Sequence, residues 1–447
     1  MNLSISFLRA EYRAGRLTPG QVMDQVLSRL EDDDQDSVWI STVDLKKARD
    51  RAAYLDSQGE RIDSLPLYGL PFSVKDNIDV ADEMTTAACP AFAYMAEKSA
   101  AVVQAALDAG AMFIGKTNLD QFATGLVGVR SPYGIPRNPF NSQYIPGGSS
   151  SGAGVSVSTA MVSFAFGTDT GGSGRVPASY NGIVGLKPAP GQLSRRGLVF
   201  ACRSIDTATI FANSAADAMR VFDCIAKPDE QDPYCIAGQA SPLPSTALRF
   251  GVPRPDQLRF FEDSEVEALF DEAVAYLNRL VDGDTACIDF DLLTGINDLM
   301  FFGPLLAERD VSVGTFVDEH TEDCHPVVQL LITGSRRFSA FDAHSAIYQI
   351  ADARVGMEPV WKDIEVLMVP TVGSVYSLET VDNDPLQPNF NNGYYTNFAN
   401  PLGLSAIATP FGKTKEGVPW GVTFLFKPGK EAAVAAFADS FSKIAHS

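Results

Sequence analysis

Apolar residues recur at helical spacing near the start of the chain. Val22, Val26 and Leu30 fall on one face of Gln21–Leu30, just after the start signal Thr18-Pro19-Gly20, and predict an amphipathic helix. Asp44–Gln58 reads as a second helix, closed by Gly59. The pattern then changes. Leu67–Val74 is a short apolar run that predicts a strand, with Lys75 at its end. Ser99–Asp108 returns to helical spacing and stops at Gly110, and Ala111–Ile114 reads as a buried strand. A helix of small residues, Gly152–Thr159, leads into a strand at Met161–Phe166. Much later, Val366–Val369 predicts another core strand, closed by Pro370. Short apolar strands alternating with helices predict an α/β sheet covered on both faces. There is no internal repeat. Gln239–Thr246 is loop-like and is the candidate break between a core and a later section.

Composition adds a scale. The chain has 447 residues, 45% hydrophobic and 20% charged, enough for a sizeable core. Its formal charge of −20 repels phosphates and argues against a nucleic-acid partner. The six cysteines (Cys89, Cys202, Cys224, Cys235, Cys287 and Cys324) form no CxxC pair and read as reduced thiols of a cytoplasmic protein. Met1–Arg16 has mixed charge and lacks the apolar stretch of a signal peptide, and no apolar run is long enough to span a membrane.

The candidate chemistry lies in two glycine turns and a lysine. Ser149 sits in Gly147–Gly152, and Ser173 sits in Thr168–Arg175, 24 residues later. A serine hydroxyl is a poor nucleophile at neutral pH unless a base takes its proton and donors stabilise the oxyanion. His320, His325, His344 and His446 all lie far from these turns in sequence. Lys75 can act instead, because burial in an apolar strand lowers an amine's pKa. Backbone N–H groups of Thr170, Gly171, Gly172 and Ser173 can converge on a carbonyl oxygen, since glycine lets a substrate approach closely. Glycine–serine clusters are also ordinary turns and helix caps, and spacing alone leaves both readings open.

Three other patterns carry less. Gly110–Thr117 fits the P-loop pattern, but its middle residues are apolar and a helix, not a strand, precedes it. Gly148–Gly152 fits a nucleophile elbow centred on Ser150, but Pro146 breaks the strand an elbow needs. Asp323-Cys324-His325 lacks a second ligand pair at zinc spacing and reads as a surface loop, so no metal site is expected.

Together, Val74–Asp76, Gly147–Gly152 and Gly167–Ala178 resemble the amidase signature family, and the resemblance runs from about Leu67 to Thr423. It implies a twisted, mostly parallel mixed β-sheet between two helical layers, and no cofactor. It also implies a catalytic set: Ser173 as nucleophile, Ser149 as bridging serine in a cis peptide, Lys75 as base. Thr170, Gly171, Gly172 and Ser173 would form the oxyanion hole. Within the family, Gln121–Gly134, Val199–Ser204, Gly303–Arg309 and Gly393–Phe398 are most similar to allophanate hydrolases. That similarity implies a small amide substrate bearing a carboxylate, held by Arg309, with Gly125 lining the pocket. It implies cleavage of the terminal C–N bond of a ureido acid, and a homodimer. Phe301, eight residues before Arg309, replaces the tyrosine of that subfamily and loses one hydroxyl donor. The alternatives are a carboxybiuret, malonamate or general amidase, or the amidase-fold component of a glutamine-dependent amidotransferase. Residues 1–447 are expected to form one amidase domain: a helical part to about 60, a signature core over about 65–215, and a remainder over 216–447. The second, C-terminal domain usual in the subfamily is expected to be absent.

Overall fold

A computed structural model describes residues 2–32, 37–236, 248–281, 285–301 and 303–445. The expected loop at Gln239–Thr246 lies outside the described residues, as do His446 and the side chain of Phe301.

Thirteen strands are present among the described residues: β1 Trp39–Thr42, β2 Pro71–Lys75, β3 Met84–Thr85, β4 Tyr94–Met95, β5 Met112–Thr117, β6 Phe164–Asp169, β7 Val184–Lys187, β8 Thr207–Ala212, β9 Phe250–Pro253, β10 Ala286–Ile288, β11 Val366–Pro370, β12 Ser405–Lys413 and β13 Pro419–Phe426. β3 and β4 form a small ribbon. The other eleven make one sheet in the order β1-β5-β2-β6-β8-β7-β12-β13-β11-β9-β10. The sheet is mixed, as expected, but parallel pairing is the minority: four pairings are parallel and six antiparallel. The difference comes from strands that no apolar run announced, above all the β12–β13 hairpin, whose short connection forces antiparallel pairing.

Helices cover the sheet on both sides. Ser151–Ser158 packs on β2, β5 and β6, while Ala215–Ile225 and Glu431–Ala445 pack on each other and on β7, β8 and β12. β2, β5, β6, β7, β8, β11 and β13 are buried along their whole length, the signature of a sheet with two covered faces. Phe72 stacks on Phe164 across the β2–β6 register, with ring centroids 5.1 Å apart.

The two early helices run over Pro19–Asp32 and Leu45–Asp56, the second capped by Asp44, whose carboxylate accepts the N–H groups of Lys46 and Lys47. β1 interrupts this helical part because Trp39–Thr42 pairs with the strand β5. Val366–Pro370 forms the expected core strand β11.

Three predicted strands run further toward their C-termini than their apolar residues. β2 includes Lys75, β5 continues through Lys116 and Thr117, and β6 continues through Thr168 and Asp169. These strands are parallel neighbours, so their polar ends lie side by side. The carboxyl edge of parallel strands is where open α/β sheets bind ligands.

Candidate active site

Lys75 is fully buried, and its Nζ lies 2.7 Å from Ser149 Oγ and 2.7 Å from Thr168 Oγ1. Burial pushes the amine down to about 7, against the raising influence of Asp120, Asp206 and Asp169. Near neutral pH a large share of it is therefore uncharged, with a lone pair free to take a proton. Ser149 follows a cis peptide with Gly148. Its carbonyl accepts the N–H of Asp120 at 3.1 Å.

The second turn is fixed by an ion pair. Arg175 grips Asp169 with Nε at 3.0 Å and Nη2 at 2.9 Å, both side chains being fully buried. Burial alone would raise the Asp169 carboxyl. The Arg175 guanidinium, Lys187 and the N–H of Gly174 outweigh it and hold the group below the usual carboxylate range. The same carboxylate accepts the N–H of Gly172 at 2.9 Å and of Gly174 at 3.0 Å. The four-donor oxyanion cradle is thereby corrected. Gly172 turns its N–H inward to Asp169, leaving Thr170, Gly171 and Ser173 as candidate donors. Gly172 is still required as glycine, because its φ is +132° and a Cβ would lie 2.3 Å from Thr396 Oγ1. Replacing Arg175 with alanine strands a buried carboxylate. It is expected to cost ~3–5 kcal/mol of stability, read as a lowered urea midpoint.

Ser173 is 3% exposed, and its Oγ donates to Gly125 O at 3.4 Å. Gly125 thus adjoins the candidate nucleophile. A Cβ there would meet Asp120 Oδ2 at 2.5 Å, so the glycine serves packing on Asp120 as well. Asp120 accepts the N–H groups of Val127, Gly128 and Arg130 and shapes the whole loop.

Arg309 lies in the helix Ala307–Glu319 and is 3% exposed. Its Nη1 donates to Cys202 Sγ at 3.2 Å, and its buried Nε has no hydrogen-bond partner. Burial raises the Cys202 thiol, opposed by Arg309. Asp206 connects Arg309 to the second turn, because it accepts the Thr170 hydroxyl at 2.5 Å. Burial lifts the Asp206 carboxyl to about 6, while the Thr170 hydroxyl, the N–H groups of Ala201 and Cys202, and the charge of Arg309 pull it down. Phe301 is the last residue of the helix Asp291–Phe301.

A sequence profile described as Amidase matches residues 21–435. The chain belongs to the amidase family. Urea amidolyase of Saccharomyces cerevisiae is 37% identical over 409 residues, which cover 91% of this chain and 22% of that protein. This amidase thus spans less than a quarter of that relative. Allophanate hydrolase of Kluyveromyces lactis has a solved structure that superposes with a TM-score of 0.92 at 35% identity, covering 99% of this chain and 72% of that one. The amidase-fold component of glutamyl-tRNA(Gln) amidotransferase from Treponema denticola is 29% identical over 436 residues, 90% of this chain and 89% of that protein.

The rejected patterns have structural roles in this amidase. Lys116 of the P-loop-like stretch is buried in β5, paired with Asp76 Oδ1 at 2.9 Å and donating to Thr85 Oγ1 at 3.0 Å. Ser150 of the elbow-like stretch precedes the helix Ser151–Ser158 and donates to Thr168 O at 3.1 Å. His325 caps the helix Pro326–Thr333, its Nδ1 accepting the Val327 N–H at 3.3 Å. Among the described residues no helix is long and apolar enough to cross a membrane.

Sequence reasoning missed Thr168, Asp120 and Asp206 as parts of the site. Thr168 stands inside the second turn and Asp120 directly before the Gln121–Gly134 stretch, so proximity to those motifs was the available signal. Asp206 had none, lying 36 residues from its partner Thr170.

Proposed function

We propose that this amidase hydrolyses the terminal C–N bond of allophanate through a serine acyl-enzyme. The observation that carries the reading is the buried amine of Lys75 at 2.7 Å from Ser149 Oγ, beside the turn that holds Ser173. Ser173 Oγ attacks the carbamoyl carbon, its proton passing to Ser149 while the Ser149 proton passes to Lys75. The oxyanion is stabilised by the N–H groups of Thr170, Gly171 and Ser173. Collapse breaks the C–N bond, and the relay returns a proton to the leaving nitrogen, releasing ammonia. Water, deprotonated by the same relay, then cleaves the acyl ester and frees a dicarboxylated amine.

The substrate rests on Arg309 and on the relatives. A buried guanidinium with an unpartnered Nε suits a small carboxylate. Arg309→Ala is expected to raise KM for allophanate by ~10–10²-fold and to leave KM for propionamide nearly unchanged. Ammonia release over a concentration series measures both, and equal effects on the two substrates sink the anchor.

The glutamine-amidotransferase reading is supported by the near full-length match to the Treponema protein. Glutaminase activity exceeding allophanate turnover would select it. Residues 1–447 are proposed to act as one amidase unit, supported by a single sheet whose strands run from Trp39 to Phe426. A cytoplasmic location is supported by six free cysteines, and a homodimer by the exposed apolar side chains of Val311, Phe341 and Tyr348 on neighbouring helices.

A further inference from the structure

We propose that Asn397 determines specificity, its side-chain oxygen accepting a hydrogen bond from the N–H that bridges the two carbonyl carbons of the ureido acid. The inference rests on the allophanate reading and names a contact that the Ser–Ser–Lys relay and Arg309 do not provide.

Asn397 is 3% exposed, yet its Oδ1 has no hydrogen-bond partner. The residue is held in place from its backbone, whose N–H donates to Gly393 O at 2.9 Å. Its neighbour Thr396 ties the segment to the second turn by donating from Oγ1 to Gly171 O at 2.7 Å. The orphan oxygen faces Gly171: a Cβ on that glycine would sit 2.8 Å from Oδ1 and 3.3 Å from Met300 Cε. A buried acceptor is normally satisfied, and one aimed at a glycine beside candidate oxyanion donors lacks its partner until a ligand arrives.

The chemistry of the substrate supplies that partner. A ureido acid presents a carbonyl oxygen and, one bond beyond the carbonyl carbon, an N–H. The oxygen needs donors, here the N–H groups of the turn, and the N–H needs an acceptor close to them. A neutral carboxamide oxygen meets that need without repelling the adjacent carboxylate, which Arg309 holds. Arg309 reaches the same turn through Asp206 and Thr170. Donors, acceptor and cation are thus grouped around Thr170–Ser173.

Malonamate has the same charge and nearly the same shape but carries a methylene in place of the bridging N–H. It leaves Oδ1 unpaired. The wild type is expected to prefer allophanate over malonamate by ~10²-fold or more in kcat/KM. Asn397→Ala is expected to shrink that preference at least ~10-fold, through lost activity on allophanate, with malonamate turnover within about threefold of wild type. Asn397→Asp keeps an acceptor at the same place. It is expected to preserve the preference while raising KM for both substrates through carboxylate repulsion. Malonamate turnover and the thermal midpoint of each variant report that it has folded. Equal loss on both substrates in Asn397→Ala, or an unchanged preference, overturns the assignment. A wild type that hydrolyses both equally well leaves the allophanate reading standing and overturns the role of Asn397. A wild type inactive on allophanate overturns both.

Discussion

Ser173→Ala is expected to lower kcat/KM for amide hydrolysis by ~10⁴-fold or more, with folding intact. The side chain is buried at the head of the turn that Asp169 and Arg175 hold rigid, and its one hydrogen bond is the 3.4 Å contact to Gly125 O. Losing one hydroxyl removes no charge and opens little space, so the urea midpoint should stay close to that of the wild type. Rapid mixing should also show no acyl-enzyme, the burst of ammonia ahead of steady state being absent. A variant that keeps more than a tenth of wild-type activity would remove Ser173 from the nucleophile's role.

Lys75→Met is expected to cost ~10²–10⁴-fold in kcat/KM. The pH dependence gives a second, independent reading. With the amine at about 7, activity should fall about tenfold per unit as pH drops below that value, because protonated lysine cannot accept the Ser149 proton. Stability follows the same ionisation. The folded-state value lies below the ordinary 10.5, so between about 7 and 10.5 the unfolded chain binds a proton that the folded chain does not. Stability therefore rises with pH across that window by ~1.4 kcal/mol per unit from this group, and the destabilisation is fully present below about 7. Lys187, also buried and lowered to about 7, adds a slope of the same sign. Lys75→Met should remove its share of that slope while abolishing activity. Denaturation series at several pH values measure this, and an unchanged slope would mean that Lys75 is charged in the folded protein.

Much of this architecture was visible in the residue pattern, and the failures share one cause. Helices with a capping residue and an apolar face, such as Leu45–Asp56 after Asp44, were readable because their signals are local. The starts of β2, β5 and β6 lie inside or close to their apolar runs. Their ends do not, because strands normally stop where buried polar groups would be unpaired, and here those groups find partners far away in sequence. Lys116 is satisfied by Asp76, Asp169 by Arg175, and Lys75 by Ser149 and Thr168. The serines and Lys75 were accessible through motif resemblance. Asp120, Asp206 and the free acceptor of Asn397 were not, since each acts through a contact that only the folded chain creates. The parallel share of the sheet was overestimated for a related reason: β12 and β13 were not recognised as strands, so their hairpin was not counted.

The inward-turned N–H of Gly172 has a consequence for the energetics of turnover. A donor bound to Asp169 cannot touch a developing oxyanion, so the turn gives up one dipole. In exchange, the peptide planes on either side of it lose their freedom to rotate. In water, solvent dipoles must reorient each time negative charge appears on a carbonyl oxygen, and that reorientation forms part of the barrier. In this turn the alignment is completed once, when the chain folds and Asp169 closes on Arg175. Three fixed dipoles with almost no reorganisation energy are then a better solvent for the transition state than four mobile ones.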